Sequence, residues 1–129
     1  MDVWLGNSRG TLYSHEHTYI NLNDSGQRKV YWSFSWADMG KHDVPTTIDF
    51  IRQKTGALKV AYVGYSQGTI QMFYGMTTMK EYFEENISVF IALAPCALIG
   101  NTNSALKFTA DNFYWAVETF TDFFEVHNV

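Results

Sequence analysis

The sequence predicts an α/β fold built on a parallel sheet. Residues 58–63 are apolar at nearly every position, which is typical of a parallel strand that is buried on both faces. A helical pattern precedes this run, a second helical pattern follows it, and another strand is predicted at residues 87–93. Because strands and helices alternate along the chain, right-handed crossovers and parallel pairing are expected.

The first third of the chain is predicted to be mostly irregular. Residues 3–5 are interpreted as the end of a buried strand, which Gly6 closes, and the polar stretch through Gly26 is interpreted as a surface excursion because it has neither a helical nor a strand period. Residues 31–34 fit a short strand or a packed loop, and a helical pattern begins at Asp38.

Two helices are predicted next to the strands. The first begins at Asp43 as N-cap with Pro45 in its first turn, presents an apolar stripe, and ends at Gly56. The second covers residues 69–83. Its apolar stripe is Ile70, Phe73 and Tyr74, with the polar side chains Gln71 and Lys80 elsewhere.

Composition excludes several classes of function. The formal charge is −4 and the longest basic cluster is Arg28-Lys29, so no nucleic-acid partner is expected. The longest apolar run, residues 89–99, contains Pro95 and is too short for a transmembrane helix. No cofactor or metal site is predicted. Residues 1–4 lack the features of a secretory signal and are interpreted as a mature or truncated start.

Cys96 is the only cysteine, so no intrachain disulfide can form. It lies in an apolar run and is interpreted as a small buried hydrophobe, not as a nucleophile.

The pattern G-x-S-x-G occurs twice, around Ser8 and around Ser66. A serine hydroxyl needs a neighbouring base and backbone donors for the oxyanion, and this pattern supplies the required geometry when it forms a strained turn from a strand into a helix. Only the copy at residues 64–68 follows an apolar strand and leads into a helical pattern. Ser66 is therefore the predicted nucleophile; the alternative is a tight turn in another α/β protein. Residues 6–10 are interpreted as a loop turn, with Arg9 as a structural charge partner.

Several longer motifs resemble the acid lipase family, which includes the gastric and lysosomal acid lipases. They are residues 2–10 (DVWLGNSRG), 32–36 with Met39, 43–51 (DVPTTIDFI), 62–68 (YVGYSQG) and 92–95 (ALAP), and they follow one another in order over about the first 100 residues. The resemblance implies an incomplete α/β-hydrolase fold, with Ser66 as nucleophile and the backbone N–H of Gln67 as one oxyanion donor. Tyr65 departs from the family, where a histidine is common at this position.

The resemblance also implies a domain division and a substrate. Residues 1–99 are expected to form a partial hydrolase core, and residues 100–129 the start of a lid. The aromatic side chains between Phe108 and Phe124 would then face lipid; ordinary helix core is an equally good interpretation. The implied partners are a neutral lipid ester, triacylglycerol or sterol ester, and the lipid–water interface, in the secretory or lysosomal route. The alternatives are a non-catalytic lipid-binding or regulatory remnant and a hydrolase of another acyl substrate, such as a thioester.

Part of the catalytic apparatus is expected to lie outside this chain. In α/β-hydrolases an acid and then a histidine follow the nucleophile, and the family places both after later strands. Ser66, Asp111 and His127 have the right order but do not match those positions. His15, His17 and His42 are interpreted as loop or helix-edge residues. The second oxyanion donor is expected in a segment before residue 1, together with a strand that would lie in the sheet between the strand ending at Leu5 and the strand ending at Val63. Because that strand is missing, the chain is predicted to be marginally stable. Because the acid and the histidine are missing, it is predicted to be inactive alone.

Overall fold

The computed structural model describes residues 2–97 and Phe108. These residues form two compact units: one contains residues 2–16 and 34–97, and the other contains residues 17–33 with Phe108. The predicted division into a core at 1–99 and a lid from 100 stays a prediction, because most of the second part lies outside the described residues.

The smaller unit contains helix α1, Ser25–Tyr31. Its N-cap is Asp24, whose carboxylate accepts a hydrogen bond from the Gln27 backbone N–H at 2.9 Å. This helix was not predicted from the sequence, because α1 has only seven residues and presents no clear apolar stripe. Residues 31–34, for which a short strand was one interpretation, form no strand: Tyr31 is the last residue of α1, and residues 32–34 follow it.

A continuous helical stretch opens the second part of the larger unit. It consists of α2 (Trp36–Asp38), a π-helical turn (Met39–Asp43) and α3 (Val44–Thr55). The true start is Ser35, where the side chains of Ser35 and Asp38 form a capping box. Asp43 directly precedes α3, as predicted, but its side chain accepts no hydrogen bond from a backbone N–H of α3, so the predicted capping bond is wrong. The predicted end is confirmed: Gly56 adopts φ 73°.

Two parallel strands form the sheet, β1 (Val60–Tyr65) and β2 (Ile87–Leu93). The first strand begins two residues later than predicted and continues to Tyr65, and the second agrees with the prediction. Their register places Val63 opposite Ile91 and Tyr65 opposite Leu93. Parallel pairing of strands joined by helices confirms the predicted α/β class.

The connection between the strands is two helices instead of one. These are α4 (Gln67–Thr78) and α5 (Lys80–Asn86), separated by Met79 at φ −133°. The break turns the chain so that the Phe83 ring packs onto Gly75, where an added Cβ would lie 2.6 Å from the ring. A single helix over residues 69–83 was predicted because the apolar pattern continues through the break. Such a pattern does not indicate where the direction of the helix axis changes.

The core lies between α3, α4, α5 and one face of the sheet. Its buried members are Val44, Ile48, Met72 and Phe83, and Met72 is fully buried. The predicted stripe on α4 is therefore shifted: Thr69, Met72 and Gly75 face inward, and Gln71, which was expected elsewhere, is also buried. Polar groups are buried on α4 because they have hydrogen-bond partners there.

The other face of the sheet is exposed among the described residues. Side chains of Ala61, Val63 and Tyr65 alternate outward along β1, and Val63 is 57% exposed. The expectation that both faces are covered is therefore wrong for this part of the chain. Residues 3–5 also depart from the prediction of a buried strand: Leu5 is 89% exposed and pairs with neither β1 nor β2. A strand needs a ladder partner, and here these residues have none in the sheet.

Candidate functional site

Ser66 occupies the corner at which β1 turns into α4. Its backbone has φ 48° and ψ −111°, a conformation that non-glycine residues rarely adopt and that stores strain. The Ser66 N–H donates to the carbonyl of Leu93 at 3.0 Å, so the corner is tied to the end of β2. The strand–turn–helix setting predicted for this motif is confirmed.

The Ser66 side chain does not cap the helix that it precedes. Serine at an N-cap position normally accepts a hydrogen bond from a backbone N–H of the first turn. At this corner the positive φ directs the chain differently, so the hydroxyl is not consumed by a capping bond. Gln67 is the first residue of α4, and its N–H has no acceptor within the helix. The hydroxyl therefore stands beside a helix N-terminus whose dipole favours negative charge.

The two glycines of the motif have different surroundings. A Cβ on Gly64 would lie 2.8 Å from the carbonyl oxygen of Gly68, a backbone atom, whereas a Cβ on Gly68 would lie 3.7 Å from the Tyr62 hydroxyl. Gly64 is thus required by the close approach of β1 to the first turn of α4. The Tyr62 hydroxyl donates to the Gly68 carbonyl at 3.1 Å, and burial raises the pKa of Tyr62, so this donor keeps its proton.

A second layer of contacts joins this corner to the loop that follows β2, residues 94–97. The fully buried Thr69 hydroxyl donates to the Ser66 carbonyl at 2.6 Å and accepts from the Cys96 N–H at 3.1 Å. The Cys96 Sγ atom lies 3.8 Å from Ser66 Oγ. Cys96 is half-buried, not the buried hydrophobe that was expected. Sequence reasoning missed both residues, because nothing in the pattern shows that position 96 meets position 66.

The other G-x-S-x-G copy is a loop turn, as interpreted from the sequence. Residues 9–14 form turns, and no helix follows Ser8 directly. Arg9 is confirmed as a charge partner: its guanidinium donates to Asp43 Oδ1 at 2.6 and 2.8 Å, and its backbone N–H donates to Asp43 Oδ2 at 2.8 Å. The Asp43 carboxylate is thus engaged by Arg9, which explains why it caps no helix. Gln71 Nε2 donates to Ser8 Oγ at 3.4 Å.

The remaining candidate residues divide into two groups. His42 is exposed in the π-helical turn, and His17 is exposed and accepts backbone N–H donors through Nδ1, as expected of loop or helix-edge residues. Asp111 and His127, the other members of the alternative triad, lie outside the described residues. In the part of the chain that the structure describes, the helices are too short or too polar to cross a bilayer.

The sequence is similar to those of known proteins over most of its length. A family model described as alpha/beta hydrolase fold matches residues 1–128. The chain belongs to the α/β-hydrolase family. Within this family it is 47% identical over 103 residues to gastric triacylglycerol lipase of Bos taurus, which corresponds to 80% of this chain and 25% of that protein.

Other relatives in the α/β-hydrolase family are also lipases. Lipase member K of Mus musculus is 43% identical over 106 residues, covering 82% of this chain and 25% of the relative. Lipase lipl-1 of Caenorhabditis elegans is 38% identical over 123 residues, which cover 95% of this chain and 29% of the relative. The chain therefore spans about a quarter of the length of the curated relatives it matches. These matches confirm the resemblance to acid lipases that the sequence motifs indicated.

Proposed function

We propose that this chain provides the nucleophile, Ser66, and one oxyanion donor, the Gln67 backbone N–H, of a lipase that hydrolyses neutral lipid esters through an acyl-serine intermediate. The observation that carries the proposal is the strained backbone of Ser66 between β1 and α4. Strain of this kind persists only where the surroundings enforce it, and it is concentrated at functional sites.

The proposed reaction has two halves. Ser66 Oγ attacks the ester carbonyl, a base removes the hydroxyl proton, and the negative oxygen of the tetrahedral intermediate accepts hydrogen bonds from the Gln67 N–H and a second donor. The alcohol leaves with a proton returned by the same base. Water then attacks the acyl-serine, and the carboxylic acid is released as Ser66 recovers its proton.

We propose further that the triad acid, the histidine base and the second oxyanion donor lie outside residues 1–129. The family order places acid and histidine after the nucleophile, and the chain spans 25% of the bovine gastric relative. Without a base, acylation of Ser66 is slow and deacylation slower still, so this chain alone acylates without turning over.

The proposed substrate class is triacylglycerol or sterol ester at a lipid–water interface, in a secreted or lysosomal setting. The support is the triacylglycerol lipase activity for which the gastric relatives are named, together with the sequence motifs that resemble acid lipases. Residues 100–129 are proposed as the start of the lid over the acyl site.

An acylation assay on the folded chain tests this function. p-Nitrophenyl esters should release about one equivalent of p-nitrophenol per chain and then stop, because the acyl group remains on Ser66. Ser66→Ala should abolish the release. Ser8→Ala is the matched control, since it removes the serine of the other G-x-S-x-G copy, and it should leave the release unchanged.

Three outcomes would contradict the proposal. Steady turnover that depends on His127 would show that the triad lies within this chain. Lipid binding with no acylation of Ser66 would favour the non-catalytic remnant. Acylation of Ser66 by thioesters, with none by oxygen esters, would show that the substrate is a thioester and not a lipid ester.

A further inference from the structure

The loop after β2 adopts a strained conformation beside the nucleophile corner. Ala94, the first residue after β2, has φ 47°, which non-glycine residues rarely adopt. Two residues later, Cys96 Sγ reaches 3.8 Å from Ser66 Oγ. A strained loop holds its position only when contacts elsewhere fix it. The described side-chain contacts between this loop and the Ser66 corner are made at Cys96.

The Thr69 hydroxyl is placed to make that contact. It uses its proton for the Ser66 carbonyl at 2.6 Å and its oxygen as acceptor for the Cys96 N–H at 3.1 Å. Thr69 is fully buried, so water does not compete for either bond. One hydroxyl thus joins the residue that bears the nucleophile to the loop that borders it.

Other threonines of α4 show that helix formation does not require this arrangement. The Thr77 hydroxyl donates to the Tyr74 carbonyl at 2.8 Å, which is the same i−3 bond that Thr69 makes to Ser66, but Thr77 is exposed. The bond from the Cys96 N–H is what distinguishes Thr69. The Thr69 hydroxyl therefore donates to a carbonyl in the first turn of α4 and also binds the loop after β2.

We propose that Thr69 is a positioning residue. Its hydroxyl holds residues 94–97 against the Ser66 corner and thereby keeps Cys96 beside the nucleophilic hydroxyl; we call this pair of hydrogen bonds the lock. This inference rests on the proposed function for its consequence in catalysis. The lock itself, which holds residues 94–97 in place, does not depend on whether Ser66 reacts.

The single thiol of the chain gives a direct measurement of the lock. Alkylation of Cys96 by iodoacetamide, followed by intact mass, reports how freely residues 94–97 move. Thr69→Val removes the hydroxyl at nearly constant volume, so alkylation should accelerate about three- to tenfold, the factor expected for one hydrogen bond. Thr69→Ser keeps the hydroxyl and should restore the wild-type rate within about twofold. Thr77→Val is the matched control and should leave the rate unchanged.

A second readout follows acylation of Ser66 by a fluorophosphonate. Thr69→Val should lower the maximal labelling rate by a similar factor, with little change in the probe concentration at half-maximal rate, and Thr69→Ser should recover it. If wild-type Ser66 does not react but Thr69→Val still accelerates alkylation, the proposed function fails and the lock stands. If Ser66 reacts and Thr69→Val alters neither rate, the lock is refuted and the function stands.

A measurement on the unsubstituted chain covers the case in which Thr69→Val does not fold. The Cys96 amide should exchange its hydrogen at least about tenfold more slowly than in an unstructured peptide, because it is bonded to a buried hydroxyl. Exchange at the unstructured rate would overturn the proposal.

Discussion

Replacing either glycine of the G-x-S-x-G motif by alanine adds one methyl group, but only the replacement of Gly64 should lower the stability of the chain. Gly64→Ala places a Cβ 2.8 Å from the Gly68 carbonyl oxygen and 2.9 Å from its carbon, at least 0.5 Å inside the ordinary contact distance of 3.4 Å or more. These are backbone atoms and cannot rotate away. Either β1 or the first turn of α4 must move, and overpacking of this kind costs about 1–3 kcal/mol.

Gly68→Ala is the matched comparison within the same motif. Its Cβ would meet only the Tyr62 hydroxyl, at 3.7 Å. Gly68 lies inside α4, where alanine is favoured over glycine by about 0.5–1 kcal/mol. Gly68→Ala should therefore leave the free energy of unfolding unchanged or raise it by up to about 1 kcal/mol.

Urea unfolding followed by far-UV circular dichroism measures both changes. We expect the two variants to differ by about 1–4 kcal/mol in the free energy of unfolding, with Gly64→Ala the less stable. Equal losses in both variants, or a Gly64→Ala chain as stable as the unsubstituted one, would refute the steric account of the corner.

Three further perturbations test other parts of the structure. Ser66→Gly should raise the free energy of unfolding by about 1 kcal/mol, because glycine tolerates the positive φ, and should abolish acylation; Ser66→Ala should gain no such relief. A double-mutant cycle of Arg9→Ala and Asp43→Ala should give a coupling of about 1–2 kcal/mol, reduced in 1 M salt. Burial and the hydrogen bond to Asp49 raise the pKa of Tyr82 above its ordinary 10.0. The contribution of Tyr82 to stability should therefore hold below about pH 10 and decline above it, where Tyr82 ionises first in the unfolded chain; Tyr82→Phe should make the fall in stability between pH 9 and 12 less steep in urea titrations.

Local patterns along the chain were sufficient to predict the corner. An apolar strand, the G-x-S-x-G turn and a helical pattern are adjacent in sequence, and the structure places Ser66 between β1 and α4 as expected. Gly56 and β2 were predictable for the same reason, since a left-handed helix end and an apolar strand each leave a signal within a few residues.

Features that depend on distant residues were not predictable. The contact of Cys96 with Ser66 joins positions 30 residues apart, and the Arg9 bond that occupies Asp43 joins positions 34 apart. Residues 3–5 have the composition of a buried strand, but no ladder partner in the described sheet pairs with them. Burial of Gln71 follows from partners on other elements, Met39 and Ser8, which helical periodicity does not include.

A fluorophosphonate adduct mapped by tandem mass spectrometry identifies the nucleophilic serine of the folded chain. After prolonged exposure to the probe, we expect an adduct on Ser66 that disappears in Ser66→Ala and persists in Ser8→Ala. An adduct on Ser8, or none on any serine of the folded chain, would show that Ser66 is not the nucleophile.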